Sequence, residues 1–201
     1  MAGLRESKKQ RTRQALIEAA LRLFEVKGYE ETTLAEIAAE ADVSTRTFFS
    51  YFPSKEDLVF YDSAARMERT IALVGEPLPG ETVGAVLLRM VAASTQWAAE
   101  DGAYAMAHNP LRLHLIMTVP SLQARALQLL FDSQLGLARA LADGFPDRLN
   151  RTRAAAAVGA LVGATKLAVV ASLADGGSLE EAIKAAREAA ALTIDGLHTL
   201  D

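Results

Sequence analysis

The chain has 201 residues, no cysteine and a formal net charge of −4 at pH 7, and hydrophobic residues make up 51% of it. The absence of cysteine excludes disulfide frameworks, thiolate zinc sites and cysteine nucleophiles. The acidic balance argues against a protein that coats nucleic acid by bulk charge. No apolar segment typical of a secretory signal follows the charged N-terminus, so we expect a cytoplasmic protein.

Apolar residues recur at intervals of three and four along nearly the whole chain, and strand signals are nearly absent. This spacing predicts an all-α fold. Helices are expected at about 7–27, 33–42, 44–52, from 54 onward, and near 82–100, 110–117, 120–142, 151–174 and 179–198. The predicted breaks include Gly28, Pro53, the loop GEPLPGE at 75–81, the HNP segment at 108–110, and Pro120. We predict an N-terminal three-helix domain over residues 1–60 and a larger helical domain over residues 61–201.

The segment ETTLAEIAAEADVSTRTFFSYF, residues 31–52, predicts two short helices joined by a tight turn, which is a helix-turn-helix pattern. Thr33 and Glu36 form a capping box for the first helix, and Ser44 caps the second. Phe48 and Phe52 are four residues apart and are predicted to lie in the core. Phe49 and Tyr51 lie off that face and are left for an outside partner, or else pack against neighbouring helices.

The outward side of the second helix suits the major groove of DNA. Arg46 can make a bidentate contact to guanine, and the small residues beside it can meet base edges or thymine methyl groups. The N-terminal segment adds a basic arm, in which five Lys and Arg residues stand against Glu6 within residues 1–13. Alone, that arm could equally be a solvated helix start. Residues 1–60 hold nine basic and ten acidic residues, so affinity must come from a few well-placed contacts.

The run TLAEIAAEADVSTRTFFSYFPSKEDL at 33–58, with ALIEAALRLFEVKGYEETT at 15–33, resembles the N-terminal DNA-binding domain of the TetR family of bacterial transcriptional regulators. The resemblance covers about residues 10–60. It implies phosphate anchors at Thr33, Tyr51 and Lys55, and a second domain that dimerises and holds an inducer. Two positions depart from the common pattern: Arg46 replaces a frequent Gly, and Phe49 replaces a frequent Tyr. The predicted DNA-binding residues are Lys8, Lys9, Arg11, Thr33, Ser44, Thr45, Arg46, Thr47, Phe49, Tyr51 and Lys55.

The middle helices combine apolar walls with a few polar groups, as a small-molecule pocket requires. The predicted ligand-binding residues are Met90, Trp97, Tyr104, Met106, His108, His114, Met117, Gln128 and Phe131. Plain core is the alternative for each of them. His108 and His114 are six residues apart across a proline, which is not a metal-ligand spacing, so we expect no metal and no cofactor.

Small residues crowd the segment 151–174, and apolar residues recur at helical spacing along 179–198. We expect these two helices to form a four-helix interface between two copies of the chain, with ordinary intrachain core as the alternative. The predicted interface residues are Ala155, Gly159, Gly163, Ile183, Ala186, Ala190 and Ile194. A membrane span over 154–174 is disfavoured because Lys166 would lie near the bilayer centre at a cost of about 3 kcal/mol.

The resemblance to this family, together with these patterns, therefore implies a homodimeric transcriptional repressor that binds a palindromic operator in double-stranded DNA and is released by a small apolar effector. Two-fold symmetry would place its recognition helices about 34 Å apart. One alternative is a ligand-independent DNA-binding or scaffold protein with a solid second domain. An enzyme carrying a helix-turn-helix head finds little support, because no recognisable catalytic constellation is present.

Overall fold

The computed structural model describes the backbone of residues 2–100 and 102–196. The structure is 79% helical and has no strand in these ranges, which confirms the all-α prediction. The helices are α1 (Ala2–Lys27), α2 (Leu34–Glu40), α3 (Thr45–Phe49), α4 (Glu56–Val59), α5 (Ser63–Gly75), α6 (Val83–Glu100), α7 (Gly102–Thr118), α8 (Pro120–Gly144), α9 (Arg151–Ala174) and α10 (Leu179–Gly196).

The largest departures from the predicted helices lie at three places. Helix α1 begins at Ala2 instead of residue 7. The predicted break at HNP is wrong, because α7 is continuous and contains Pro110. The helix expected from residue 54 onward is divided into α4 and α5, although no Gly or Pro lies between Ser54 and Val74.

The chain divides into two compact units. The first comprises residues 1–63 together with 104–127, and the second comprises 64–103 together with 128–201. The first domain predicted from the sequence falls within the first unit, which also takes in residues 104–127. The loop at 75–81 lies inside the second unit, where it joins α5 to α6.

The core of the first unit gathers apolar side chains from α1 to α4 and from the segment 111–122. Its fully buried members include Leu16, Ile37, Phe48, Leu58 and Leu122. Helix α1 ends at Gly28, whose φ of +89° is the left-handed conformation that favours glycine. The N–H of Gly28 donates to the carbonyl of Phe24 at 3.1 Å, so the end of α1 is fixed as predicted.

The core of the second unit is formed by the inner faces of α5, α6, α8, α9 and α10. Helix α9 contributes Ala154, Ala157, Val158 and Leu161, which are completely buried. The small side chains of these alanines permit close packing against α10. Arg89 closes the loop before α6, because its guanidinium binds both carboxylate oxygens of Glu81 at 2.8 Å.

Candidate nucleic-acid interface

The two helices of the helix-turn-helix begin at the residues predicted from their caps. The backbone N–H of Glu36 donates to Thr33 Oγ1 at 3.2 Å, and the N–H of Thr33 donates to Glu36 Oε2 at 2.9 Å. This is a complete capping box. At α3, the N–H of Thr47 donates to Ser44 Oγ at 3.1 Å. Both caps confirm the expected start of each helix.

The turn between α2 and α3 depends on Asp42, which has a φ of +54°. Aspartate tolerates this left-handed conformation better than most side chains do. The N–H of Val43 then donates to the carbonyl of Ala38 at 2.9 Å and folds the chain back. Ala38 is buried, whereas its neighbour Ala39 is exposed.

Helix α3 separates its rings between the core and the surface. Phe48 and Phe52 are 0% and 3% exposed, whereas Phe49 is 55% exposed and contacts Phe48 edge-on at 5.5 Å between ring centroids. Tyr51 is half-buried and packs against the core of the first unit. The core positions of Phe48 and Phe52 are thus confirmed, and Phe49 presents an apolar ring to solvent.

The polar residues at α3 differ in whether their side chains already make hydrogen bonds within the chain. The hydroxyls of Ser44 and Thr47 lie 2.9 Å apart and share a hydrogen bond, and Ser50 Oγ donates to the carbonyl of Thr47 at 2.6 Å. Thr45 and Arg46 are exposed. Arg46 is therefore the exposed cation of the helix that would enter a groove.

The basic arm belongs to α1. Lys8, Lys9 and Arg11 are exposed on this helix, so the arm presents its charges from helical backbone. Arg13, two residues on, is engaged internally: its guanidinium lies 5.2 Å from the ring centroid of Phe52 and donates to the carbonyl of Tyr61. The arm that could meet phosphates therefore ends at Arg11.

Lys55 is held by the turn between α1 and α2. Its ammonium donates to the carbonyl oxygens of Tyr29 at 2.7 Å and Thr32 at 3.1 Å. The same nitrogen lies 4.2 Å from the centroid of the Tyr29 ring. This lysine connects the entrance of α2 to the segment before α4, and its role as a phosphate anchor stays a prediction.

The carboxylate of Glu36 lies at the N-terminus of α2. The Lys27 ammonium, which donates a hydrogen bond to the carboxylate, and the N–H and hydroxyl of Thr33 lower the pKa of Glu36 to about 2. The carboxylate is therefore ionised throughout the physiological range. The family resemblance implies that Thr33 is a phosphate anchor. Its hydroxyl already donates a hydrogen bond to the Glu36 carboxylate, so it would have to give up this bond in order to donate to a phosphate.

Two arginines of the first unit contact the segment around α4. Neither was predicted from the sequence as a functional residue. Arg112 lies on α7, is only 9% exposed, and pairs with Asp62 at 2.7 Å. Arg125 lies on α8 and pairs with Asp57 at 3.1 Å. Their partners are more than 45 positions away in the sequence, so no local spacing pointed to them.

The predicted ligand-binding residues in the described parts are divided between the two units. His114 and Met117 are exposed on α7 in the first unit. In the second unit, Met90 is buried in the core, Gln128 and Phe131 are exposed, and Trp97 is half-buried with the guanidinium of Arg69 at 4.5 Å from its ring. The side chains of Tyr104, Met106 and His108 lie outside the described residues. The pocket stays a prediction.

The predicted dimer residues differ in whether they are buried within the chain or lie at its surface. Ala186, Ala190 and Ile194 of α10 are buried within the chain. On α9, Ala155 is exposed, and a methyl group added to Gly159 or Gly163 would meet nothing within 4 Å. Ile183 is half-buried and lines a surface groove of about 330 Å³, together with Glu180, Glu181, Lys184 and Arg187. None of the predicted ligand-binding residues lines this groove.

The capped helix pair, its left-handed turn and the solvent-facing side of α3 define a helix-turn-helix protein. Residues 16–61 match the sequence profile described as "Bacterial regulatory proteins, tetR family". Residues 16–61 are thus similar to the N-terminal domain of TetR-family regulators. It is 43% identical over 79 residues to the HTH-type transcriptional regulator TcmR of Streptomyces glaucescens. That match covers 39% of this chain and 35% of the relative, so the chain spans about a third of the length of that protein.

Solved structures resemble the whole fold. Salmonella enterica GusR superposes with a TM-score of 0.55 at 22% identity, covering 94% of each chain. Thermus thermophilus FadR, a TetR-family transcriptional repressor in complex with lauroyl-CoA, superposes with a TM-score of 0.54 at 23% identity, covering 92% of this chain and 94% of that one. At these identities the similarity establishes the fold.

Proposed function

We propose that this protein is a sequence-specific DNA-binding transcriptional regulator, and not an enzyme, that acts in the cytoplasm as a homodimer. The observation that carries the proposal is the division of α3 into a buried and an exposed side. Phe48 and Phe52 fix the helix in the core, and Thr45, Arg46 and Phe49 face solvent. A short helix fixed in this way can enter a major groove about 12 Å wide and present its arginine to guanine.

Exposed cations on α1 supply the contacts to DNA phosphates, which do not depend on the base sequence. Lys8, Lys9 and Arg11 extend from the same helix that forms the core of the first unit, so their positions are fixed relative to α3. Phosphate contacts of this kind set register and orientation, while base contacts set specificity. If each subunit neutralises about three to five phosphates, log K falls with log salt at a slope of about −5 to −9.

A second copy of the chain is the proposed partner of α9. By length and composition alone this helix could cross a membrane, yet only 22% of its most apolar stretch is buried. Leu167 is 70% exposed and Val170 is 36% exposed. With Gly159 and Gly163 they form an apolar surface that allows close backbone approach, which suits a two-fold helix pair.

A small apolar effector is the proposed signal, and repression is the proposed sign of regulation. The support is the match of residues 16–61 to the TetR-family profile and the complex of Thermus thermophilus FadR with lauroyl-CoA. A coupling free energy of about 2 kcal/mol between effector and operator would change DNA affinity about thirtyfold. A regulator that binds DNA without an effector is the second candidate, favoured by the completely buried side chains at the centre of the second unit. Melting of the protein against a panel of small apolar compounds separates the two, since a solid core gives no specific shift.

The experiment that tests DNA binding is selection of bound duplexes from a random pool, followed by affinity measurements on the selected duplex. We expect Arg46→Ala combined with Tyr51→Ala to abolish selective binding while the protein stays folded. Arg151→Ala, which removes an exposed arginine at the start of α9, is the matched control and should leave affinity unchanged. Undiminished binding by the folded double variant would exclude α3 as the reading helix.

A further inference from the structure

The break between α4 and α5 has no cause in its own sequence. Residues 54–74 contain neither Gly nor Pro, and the apolar residues on both sides of the break are compatible with one continuous helix. Helix α4 nevertheless ends at Val59, and Phe60 leaves helical geometry with φ −103° and ψ 26°. Sharp helix breaks without Gly or Pro arise where a side chain inserts into the ladder of backbone hydrogen bonds.

The inserted side chain is that of Arg112. Its Nε donates to the carbonyl oxygen of Val59 at 2.8 Å. In a continuous α-helix that carbonyl would accept from the N–H of Ser63, four residues on. In the structure the N–H of Ser63 donates instead to the carbonyl of Phe60 at 3.0 Å, in a turn. Arg112 therefore binds the carbonyl oxygen of Val59 that the N–H of Ser63 would need for a continuous helix.

Further contacts fix the guanidinium at this place. Its terminal nitrogens bind the carboxylate of Asp62 at 2.7 and 3.4 Å, and its carbon lies 4.5 Å from the centroid of the Tyr61 ring. Both partners belong to the three residues of the break itself. A planar guanidinium can bind a carboxylate with two nitrogens, stack on a ring and still use Nε, which an ammonium cannot do. The arginine thus recognises the broken conformation.

We propose that Arg112 is a positioning residue that keeps the carbonyl of Val59 from the N–H of Ser63 and so fixes the conformation of the segment that follows α3. The proposal rests on the proposed function only for its consequence at DNA. Withdrawal of the guanidinium frees the carbonyl of Val59 for the N–H of Ser63, and the two helices join.

The test uses the full chain with Arg112→Met combined with Asp62→Asn, since the single arginine change would remove the guanidinium from the half-buried Asp62 carboxylate. Asp62→Asn alone is the matched control, because it keeps the bond from Nε to Val59. Hydrogen exchange of the Ser63 amide, followed by NMR, should slow about tenfold in the double variant and stay unchanged in the control. Loss of packing alone would quicken exchange across the first unit, so the sign of the change separates the two roles.

Equal exchange at Ser63 in the double variant and the control would overturn the proposal. A double variant that fails to fold while the control folds would also overturn it, because Arg112 would then be needed for the core. On the selected duplex, the double variant should bind about tenfold more weakly with an unchanged salt slope. Unchanged affinity despite a joined helix would overturn the link to DNA. If the wild-type chain selects no duplex, the proposed function fails while the exchange result still decides the role of Arg112.

Discussion

Replacing Lys55 with methionine separates two roles that the sequence alone cannot distinguish. The family resemblance implies a phosphate anchor, whereas the structure places the ammonium on the carbonyl oxygens of Tyr29 and Thr32. Lys55→Met keeps an apolar side chain of similar length and removes the charge. An internal tether predicts a loss of folding stability and a displaced Thr33, while an anchor predicts the loss of one phosphate contact in each subunit.

The magnitude follows from the contacts that disappear. Hydrogen bonds from a charged group contribute about 1.5–3 kcal/mol each, and a cation over an aromatic ring contributes about 0.5–1 kcal/mol when it is partly exposed. Lys55 is half-buried, and water can replace it at both carbonyls, so the expected net loss is about 2 kcal/mol. For a chain of this size the melting temperature should fall by about 4–8 °C.

The deciding assay is DNA affinity as a function of salt, measured beside thermal melting. A tether predicts weaker binding with an unchanged slope of log K against log salt. An anchor predicts a slope that is smaller by about 0.9 for each lost phosphate contact, or about 1.8 in a dimer. Lys8→Met is the control, since this exposed lysine should change the slope and leave the melting temperature unaltered. A slope reduced by about 1.8 in Lys55→Met with no change in melting would refute the tether.

Three further predictions concern stability and assembly. Gly28→Ala should destabilise the chain by about 1 kcal/mol in urea unfolding, because the new side chain meets open space but must adopt a φ of +89°; equal stability would contradict this reasoning. The contribution of Glu36 to stability should be complete above its ordinary pKa of 4.5 and disappear as the pH falls toward about 2, and an NMR titration midpoint near 4.5 would exclude the ion pair with Lys27. Leu167→Glu should convert a dimer to a monomer in sedimentation equilibrium, whereas Arg151→Ala should not; an unchanged mass for Leu167→Glu would exclude this face of α9 from the interface.

Local chemistry was enough to predict the helix-turn-helix. The caps at Thr33 and Ser44 and the left-handed end at Gly28 each depend on residues within four positions of one another. The burial of Phe48 and Phe52 and the exposure of Phe49 follow from helical spacing on a short helix fixed by its caps. Because all the residues that determine these caps and this turn lie within one short segment, the sequence of that segment is enough to predict its structure.

The break between α4 and α5 could not be predicted in this way, because its cause is 53 positions away from Val59 in the sequence. Pro110 is the opposite case. Proline removes one hydrogen bond from a helix and disfavours helical geometry in the residue before it, which argued for a break at HNP. Helix α7 continues through it, and buried Arg112 and Leu115 anchor the part that follows. Tertiary contacts outweigh local preference at both places.

Helix α9 shows why helical spacing identifies a face but not its partner. Its apolar residues run around the whole helix, and the small residues Ala155, Gly159 and Gly163, spaced by four, marked one side for close packing without identifying the partner. The structure buries Ala154, Val158 and Leu161 and leaves Gly163 and Leu167 outside. Gly and Ala bury little area against lipid chains, but they bring two helix backbones close enough to gain from packing. The small residues of this outer face are the reason why we propose a second helix, and not a bilayer, as its partner. The predicted contacts at Ala190 and Ile194 are already used inside the chain.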